Sequence, residues 1–275
     1  MLFRSPTELQ RYLTRAMELA DEARRIVRAA LDTGFRVDTK ADRTLVTDAD
    51  REVERRLRQL IEADFPDHGI VGEEFPPVRP ASAFQWIMDP IDGTEEFAHG
   101  IPTFGTMLAL HFRDAPIVGV IDHPALDLRV SAAFGLGTYR NGQRVRLPGL
   151  PATSLPGGER LVLSARWNFT RYVDDGDLFD AITRSWPNHR IYRACYAHTC
   201  VITGAADAMV DMHNHIWDQA ASRILVEEAG GTYVVVREME VPDGGRVYSA
   251  VFGKPALVDR LVSLLGIVRS DASGR

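Results

Sequence analysis

A chain of 275 residues with 45% hydrophobic and 25% charged residues has globular composition, which excludes extended disorder and suits one large domain or two smaller ones. A net charge of −6 and no dense Lys/Arg run leave no basic field for nucleic acid or an anionic membrane, so a small-molecule partner is expected. The N-terminus lacks the apolar core of a secretory signal and no segment approaches about 18 uninterrupted apolar residues, which predicts a cytoplasmic protein.

Ser5-Pro6-Thr7-Glu8 reads as a capping box with proline at the first helical position. Leu9, Leu13, Ala16, Leu19, Ala23 and Val27 then recur at helical spacing, predicting a long first helix. The polar stretch Asp32 to Thr47 cannot continue it. Thr47-Asp48-Ala49-Asp50 opens a second helix whose apolar stripe is Val53, Leu57, Leu60 and Ile61, ending at Phe65-Pro66-Asp67-His68-Gly69. Short apolar runs follow at Phe84–Met88, Thr106–Phe112, Ile117–Ile121 and Leu128–Ala133, and Asn141-Gly142 predicts a tight hairpin. This is the pattern of an antiparallel sheet.

The Pro/Gly-rich segment from Pro148 to Gly158 marks a boundary, dividing the chain into an N-terminal half, 1–150, and a C-terminal α/β half, 151–275. In the second half, strands are expected at Arg160–Ser164, Arg190–Tyr192, Ala208–Asp211, Thr232–Val236 and Tyr248–Phe252. Helices are expected at Leu178–Trp186, Tyr196–Gly204, Trp217–Ala229 and Pro255–Leu265, with a frayed tail after Ile267. Cys195 and Cys200 are five apart in a helical stretch and form no Cys-x-x-Cys pair, so both read as reduced structural thiols.

Chemistry concentrates in Asp89-Pro90-Ile91-Asp92-Gly93-Thr94. Two carboxylates beside a Gly-Thr turn suit a hard divalent cation together with a phosphate, and so metal-assisted hydrolysis of a phosphate ester. Further acids stand at Asp48/Asp50, Glu73/Glu74 and Asp218. Ile70-Val71 and Trp86-Ile87-Met88 place two of these clusters at the ends of apolar strands, where sites are commonly built. His213 and His215 precede Asp218, but the surrounding acids favour Mg²⁺ over Zn²⁺. No Gly-x-Ser-x-Gly elbow, Walker loop or dinucleotide fingerprint is present.

In Gly72-Glu73-Glu74, in Trp86 through Gly100, and in Trp217-Asp218-Gln219-Ala220-Ala221 with Gly230-Gly231, the sequence resembles the inositol monophosphatase family over nearly its whole length. The resemblance implies a layered α/β/α/β/α sandwich, Mg²⁺ dependence, lithium inhibition and a homodimer. Carried onto this chain, it implies that Glu73, Asp89 and the Ile91 carbonyl hold one Mg²⁺ and that Asp89, Asp92 and Asp218 hold a second, with room for a third near Glu73. Thr94 and Asp50 match the pair that orients and deprotonates the attacking water, with Glu73 assisting; Asp50 also suits a helix cap with Thr47. Gly93 and Thr94 would present amides to the phosphate, Lys40 would tune charge near the metals, and His215 would support Asp218.

The substrate rim departs from the family. Tyr192-Arg193-Ala194-Cys195 replaces a small Gly-Ser/Thr-Ala-Ala run, and Arg193 either meets a second anionic group or faces solvent. Cys195-Tyr196 and the Ile101 to Leu110 run resemble the histidinol-phosphate phosphatase branch. Against that branch, Ala194 stands where those enzymes carry an acid, and Asp211 falls where inositol enzymes have a ring-binding glutamate. Glu95-Glu96 and Ser222 are further departures. The expected reaction is hydrolysis of a small phosphate monoester, with inositol monophosphate ranked first and histidinol phosphate second. A sugar bisphosphate and a non-catalytic metal- or phosphate-binding role remain further alternatives.

Overall fold

The computed structural model describes residues 5–40, 43–150, 158–242 and 245–265. Helix α1 (Pro6–Thr33) starts as expected, with Ser5 as N-cap, its hydroxyl facing the Glu8 amide, and Pro6 in the first turn. The polar stretch after it folds into a short hairpin, β1 (Val37–Thr39) with β2 (Leu45–Thr47). Helix α2 (Asp48–Asp64) is capped by Thr47 and Asp50 in a reciprocal box.

Strands β3 (Gly69–Gly72) and β4 (Phe84–Asp92) lead to the short helix α3 (Thr94–Ala98). Strands β5 (Gly105–Phe112), β6 (Ala115–His123), β7 (Leu128–Ala133), β8 (Gly137–Arg140) and β9 (Gln143–Val145) continue one seven-stranded sheet in chain order. The sheet is antiparallel as expected, except that β3 runs parallel to β4. Residues 151–157 of the expected boundary segment and the tail beyond Ile267 lie outside the described residues.

The second sheet is built from β10 (Leu161–Leu163), β11 (Ala208–Asn214), β12 (Thr232–Glu240) and β13 (Arg246–Gly253), in the order β10-β11-β13-β12. Between these strands lie the helices α4 (Arg166–Thr170), α5 (Gly176–Ser185), α6 (Ala194–Ile202) and α7 (Ile216–Glu228), and α8 (Pro255–Leu264) follows. The expected strand at Arg190–Tyr192 is not one. Only Arg190 bridges, to Val162, while Ile191 and Tyr192 are exposed and lack the neighbouring strand that would complete a ladder.

Side-chain alternation sorts the elements into five layers. Trp86 and Met88 of β4 and Leu108 and Leu110 of β5 face α1 and α2, meeting Leu13, Leu19, Val53 and Leu57. Their neighbours Ile87 and Met107 point the other way, onto α6 and α7 at Ala197, Val201, Ile224 and Leu225. Met209 and Phe252 of the smaller sheet close that middle layer. Val210 and Val251 face outward onto Phe179, Ile182, Leu257 and Leu261 of α5 and α8. The result is the expected α/β/α/β/α sandwich, each fully buried aliphatic contributing about 2 kcal/mol. The ends of β3, β4 and β11 and the starts of α3, α6 and α7 border one cleft.

Candidate active site

Two residues three apart on an unbroken strand face opposite sides of its sheet. Asp89 pairs with Met107 but Asp92 with Gly105, so three steps on β4 span two on β5. This extra residue is a bulge that turns both carboxylates to one side. Pro90, with no N–H to lose, sits within it, and its carbonyl accepts a hydrogen bond from Thr106 Oγ1 at 2.8 Å. Gly93 then takes φ 87°, and a Cβ there would lie 2.8 Å from the Ala194 Cβ.

Asp218 arrives from the first turn of α7, where its Oδ2 accepts the His215 amide at 2.8 Å. The His215 ring stacks on Trp217. Asp89, Asp92 and Asp218 each offer an oxygen within 4.8 Å of the others, the one such group among the described residues. Asp89 is buried, and its Oδ1 has no hydrogen-bond partner. Burial, then the charges of Glu73, Asp92 and Asp218, hold the Asp89 carboxyl well above the usual carboxylate range. Burial pushes Asp92 up to about 6 against the pull of His198, and burial with Asp92 and Glu73 raises Asp218 well above its usual range. Three desolvated carboxylates with an orphaned oxygen fit a divalent cation, which would supply the missing countercharge.

Glu73 lines the same cleft but lies outside that group of three. Its Oε1 accepts Lys40 Nζ at 2.6 Å, and the same ammonium reaches Glu74 Oε1 at 2.7 Å. Burial disfavours the Lys40 charge, but the two glutamates outweigh it and raise its pKa. Lys40 therefore bridges Glu73 and Glu74 at the edge of the cleft.

The turn carrying Glu73 rests on Glu54, a buried residue that the sequence reading missed. Its carboxylate accepts the amides of Glu74 at 2.8 Å and Phe75 at 3.2 Å and the Arg58 Nε at 2.8 Å. A Cβ at Gly72 would come within 2.2 Å of Glu54 Oε1, so glycine is required above it. The available signal was position: Glu54 stands one helical turn after Asp50, beside Val53 and Leu57 on the buried face of α2.

Thr94 Oγ1 lies 3.1 Å from Asp50 Oδ1 and 3.1 Å from the Ile91 carbonyl, so its single proton has two acceptors. The other Asp50 oxygen accepts the Thr47 amide at 2.8 Å, joining cap and cleft in one side chain. Burial, with Glu74 and Glu73 adding, pushes Asp50 up to about 6 although bonds from Thr47 oppose it. Such a group changes charge near neutrality, as a general base requires.

At the rim, Arg193 meets Glu95 Oε2 at 3.1 Å and Glu96 Oε1 at 3.2 Å. The guanidinium thus faces two protein carboxylates across the rim while its side chain stays half-exposed. Ala194 adopts φ 54°, left-handed for a residue with a Cβ, beside Gly93. Asp211 is buried and lines the cleft, where its Oδ2 accepts His198 Nε2 at 3.0 Å. His213 is turned aside, its Nδ1 donating to the Asn168 carbonyl at 2.8 Å. The cleft encloses about 700 Å³, room for a small phosphate ester.

Residues 8–261 match the model of the inositol monophosphatase family. The chain is 36% identical over 244 residues to a histidinol-phosphatase of Chlorobaculum parvum, covering 86% of this chain and 90% of that protein. It is also 36% identical over 248 residues to a histidinol-phosphatase of Mycobacterium tuberculosis, covering 90% and 93%. The fold superposes on an inositol monophosphatase from Zymomonas mobilis with a TM-score of 0.78 and 27% identity, over 96% of this chain and all of that one. Among the described residues no helix is long and apolar enough to cross a membrane. With a match spanning nearly its full length, the chain belongs to the inositol monophosphatase family of phosphoric monoester hydrolases.

Proposed function

We propose that the protein is a Mg²⁺-dependent phosphomonoesterase acting on histidinol phosphate or a closely similar amine-bearing ester. The observation that carries the hydrolytic reading is the convergence of Asp89, Asp92 and Asp218 beside the Thr94–Asp50 contact. In this reading Asp89, Asp92 and Asp218 would hold one ion, and Glu73, Asp89 and the Ile91 carbonyl would hold another. Magnesium bound there supplies charge neutralisation of the phosphate and acidification of water.

The chain's own residues do the rest. Thr94, donating to Asp50, turns its lone pairs toward the cleft and accepts from the attacking water, while Asp50 takes up the proton through that hydroxyl. Gly93 and Thr94 line the cleft where a phosphate would sit. The alcohol half then extends toward Asp211, Ala194 and the Arg193–Glu95–Glu96 group.

Two features support histidinol phosphate ahead of inositol monophosphate, reversing the order reached from the sequence. The two 36%-identical relatives are both histidinol-phosphatases. Ala194 lacks the acid of that branch, yet Glu96 Oε2 lies 3.2 Å from where a Gly93 Cβ would stand, so a carboxylate occupies the same corner. A sugar bisphosphate is disfavoured because Arg193 is already paired. Phosphate release with Mg²⁺ from histidinol phosphate, myo-inositol 1-phosphate, fructose 1,6-bisphosphate and 4-nitrophenyl phosphate tests the proposal. Histidinol phosphate is expected to lead in kcat/KM by about tenfold. A lead by inositol phosphate overturns the substrate assignment, and no turnover of any ester overturns the hydrolytic one.

A further inference from the structure

Behind Asp211 lie buried side chains to which the reaction scheme gives no role. Ser222 on α7 and His198 on α6 are both buried, and Ser222 Oγ is 2.6 Å from His198 Nδ1. His198 Nε2 is 3.0 Å from Asp211 Oδ2. An ionised carboxylate only accepts, so Nε2 carries a proton and donates; with a single ring proton, Nδ1 then accepts from the Ser222 hydroxyl. The ring is wedged edge-on against Phe252, with centroids 5.2 Å apart. Gln219 Nε2 adds a 3.4 Å contact to the same Oδ2, and the Tyr233 hydroxyl donates to Gln219 Oε1 at 2.8 Å.

Both contacts to Asp211, from His198 and Gln219, end on Oδ2. Among the described residues Asp211 Oδ1 has no hydrogen-bond partner, and Asp211 and His198 both border the cleft. We infer that Ser222 and His198 are positioning residues that clamp one oxygen of Asp211 and present the other to an ammonium or hydroxyl group on the substrate's alcohol half. The inference rests on the phosphatase reading for the identity of the cleft. Physically, an aspartate with one oxygen held by a buried hydrogen bond has lost side-chain rotations before substrate arrives.

The test compares Ser222→Ala, His198→Leu, His198→Gln and Asp211→Asn with the wild type, all Mg²⁺-loaded. Each is assayed on histidinol phosphate, which has an ammonium group, and on 4-nitrophenyl phosphate, whose alcohol half has neither amine nor aliphatic hydroxyl. Ser222→Ala and His198→Leu are expected to raise KM for histidinol phosphate about tenfold more than for the nitrophenyl ester, with kcat less affected. His198→Gln, whose amide can still donate to Oδ2, should recover most of that loss. Nitrogen-15 NMR of the imidazole, recorded without metal, should show Nε2 protonated and an Nδ1 signal that moves in Ser222→Ala. Equal losses on both esters, or a proton on Nδ1, overturn the inference. A wild type that turns over no ester overturns the phosphatase reading instead, and the tautomer then decides the relay alone.

Discussion

Glu54 offers the sharpest test of how the metal-binding turn is held. Its two oxygens take the amides of Glu74 and Phe75 and the guanidinium of Arg58, and the side chain is fully buried. Glu54→Leu keeps comparable volume but orphans both amides and leaves Arg58 only the carbonyls of Phe75 and Pro76. Each orphaned amide costs about 1–3 kcal/mol, and breaking a buried ion pair from one side costs about 3–5, so the overlapping losses place the substitution near 4 kcal/mol. For a chain of this size that corresponds to a fall in Tm of roughly 10 °C. Glu54→Gln retains one acceptor and should lose about half as much. Because the same turn carries Glu73, the Mg²⁺ concentration for half-maximal activity should rise about tenfold in Glu54→Gln. Urea unfolding at pH 7 and a Mg²⁺ titration of activity measure the two effects. If Glu54→Leu unfolds within about 1 kcal/mol of the wild type and Glu54→Gln keeps its Mg²⁺ requirement, the turn does not depend on Glu54.

Asp89→Asn should lower phosphatase activity by about a hundredfold or more. The same change should stabilise the protein in chelator at pH 7, because a carboxylate whose pKa is raised by folding destabilises the native state once it ionises; a less stable variant in chelator would contradict the electrostatic account. His111 is buried with Nε2 unpartnered, and burial lowers it to about 4, so between pH 6.5 and 4 the unfolded chain takes a proton that the native state refuses. Stability is expected to fall by about 3 kcal/mol across that window, and unfolding curves of His111→Gln should show a shallower acid slope than the wild type. Arg193→Ala removes a half-exposed ion pair and should change stability by under about 1 kcal/mol. It should also leave the ratio of bisphosphate to monophosphate hydrolysis as it was; a selective loss on the bisphosphate would show that Arg193 leaves its glutamates to bind the second anion.

Local rules carried the helices and the large sheet. The Ser5-Pro6 start of α1, the Thr47–Asp50 cap of α2 and the alternating faces of β4 and β5 depend on neighbours a few residues away, which a sequence displays directly. The hairpin of β1 and β2 escaped because all three residues of β1 are exposed and no apolar alternation marks them. Partners far along the chain escaped too. Lys40 meets Glu73 across 33 residues and Arg193 meets Glu95 across 98, and charge alone does not say which opposite charge a cation will find. Glu54 and Arg58 stand four apart, a spacing that also suits an exposed helix pair, yet Glu54 turns inward under Gly72.

The bulge at Pro90 joins the two kinds of information. Asp89 and Asp92 belong on opposite faces of any regular strand, so reading them together requires either a helix or a broken strand, and the apolar run before them is too short and too apolar for a surface helix. Proline between them decides for a strand broken at that point, since it cannot complete a ladder and is tolerated where pairing lapses. The residue that interrupts β-pairing is therefore the one that lets two acids three positions apart face a single cation, and replacing Pro90 matters for the site only insofar as it lets the strand slip back into register.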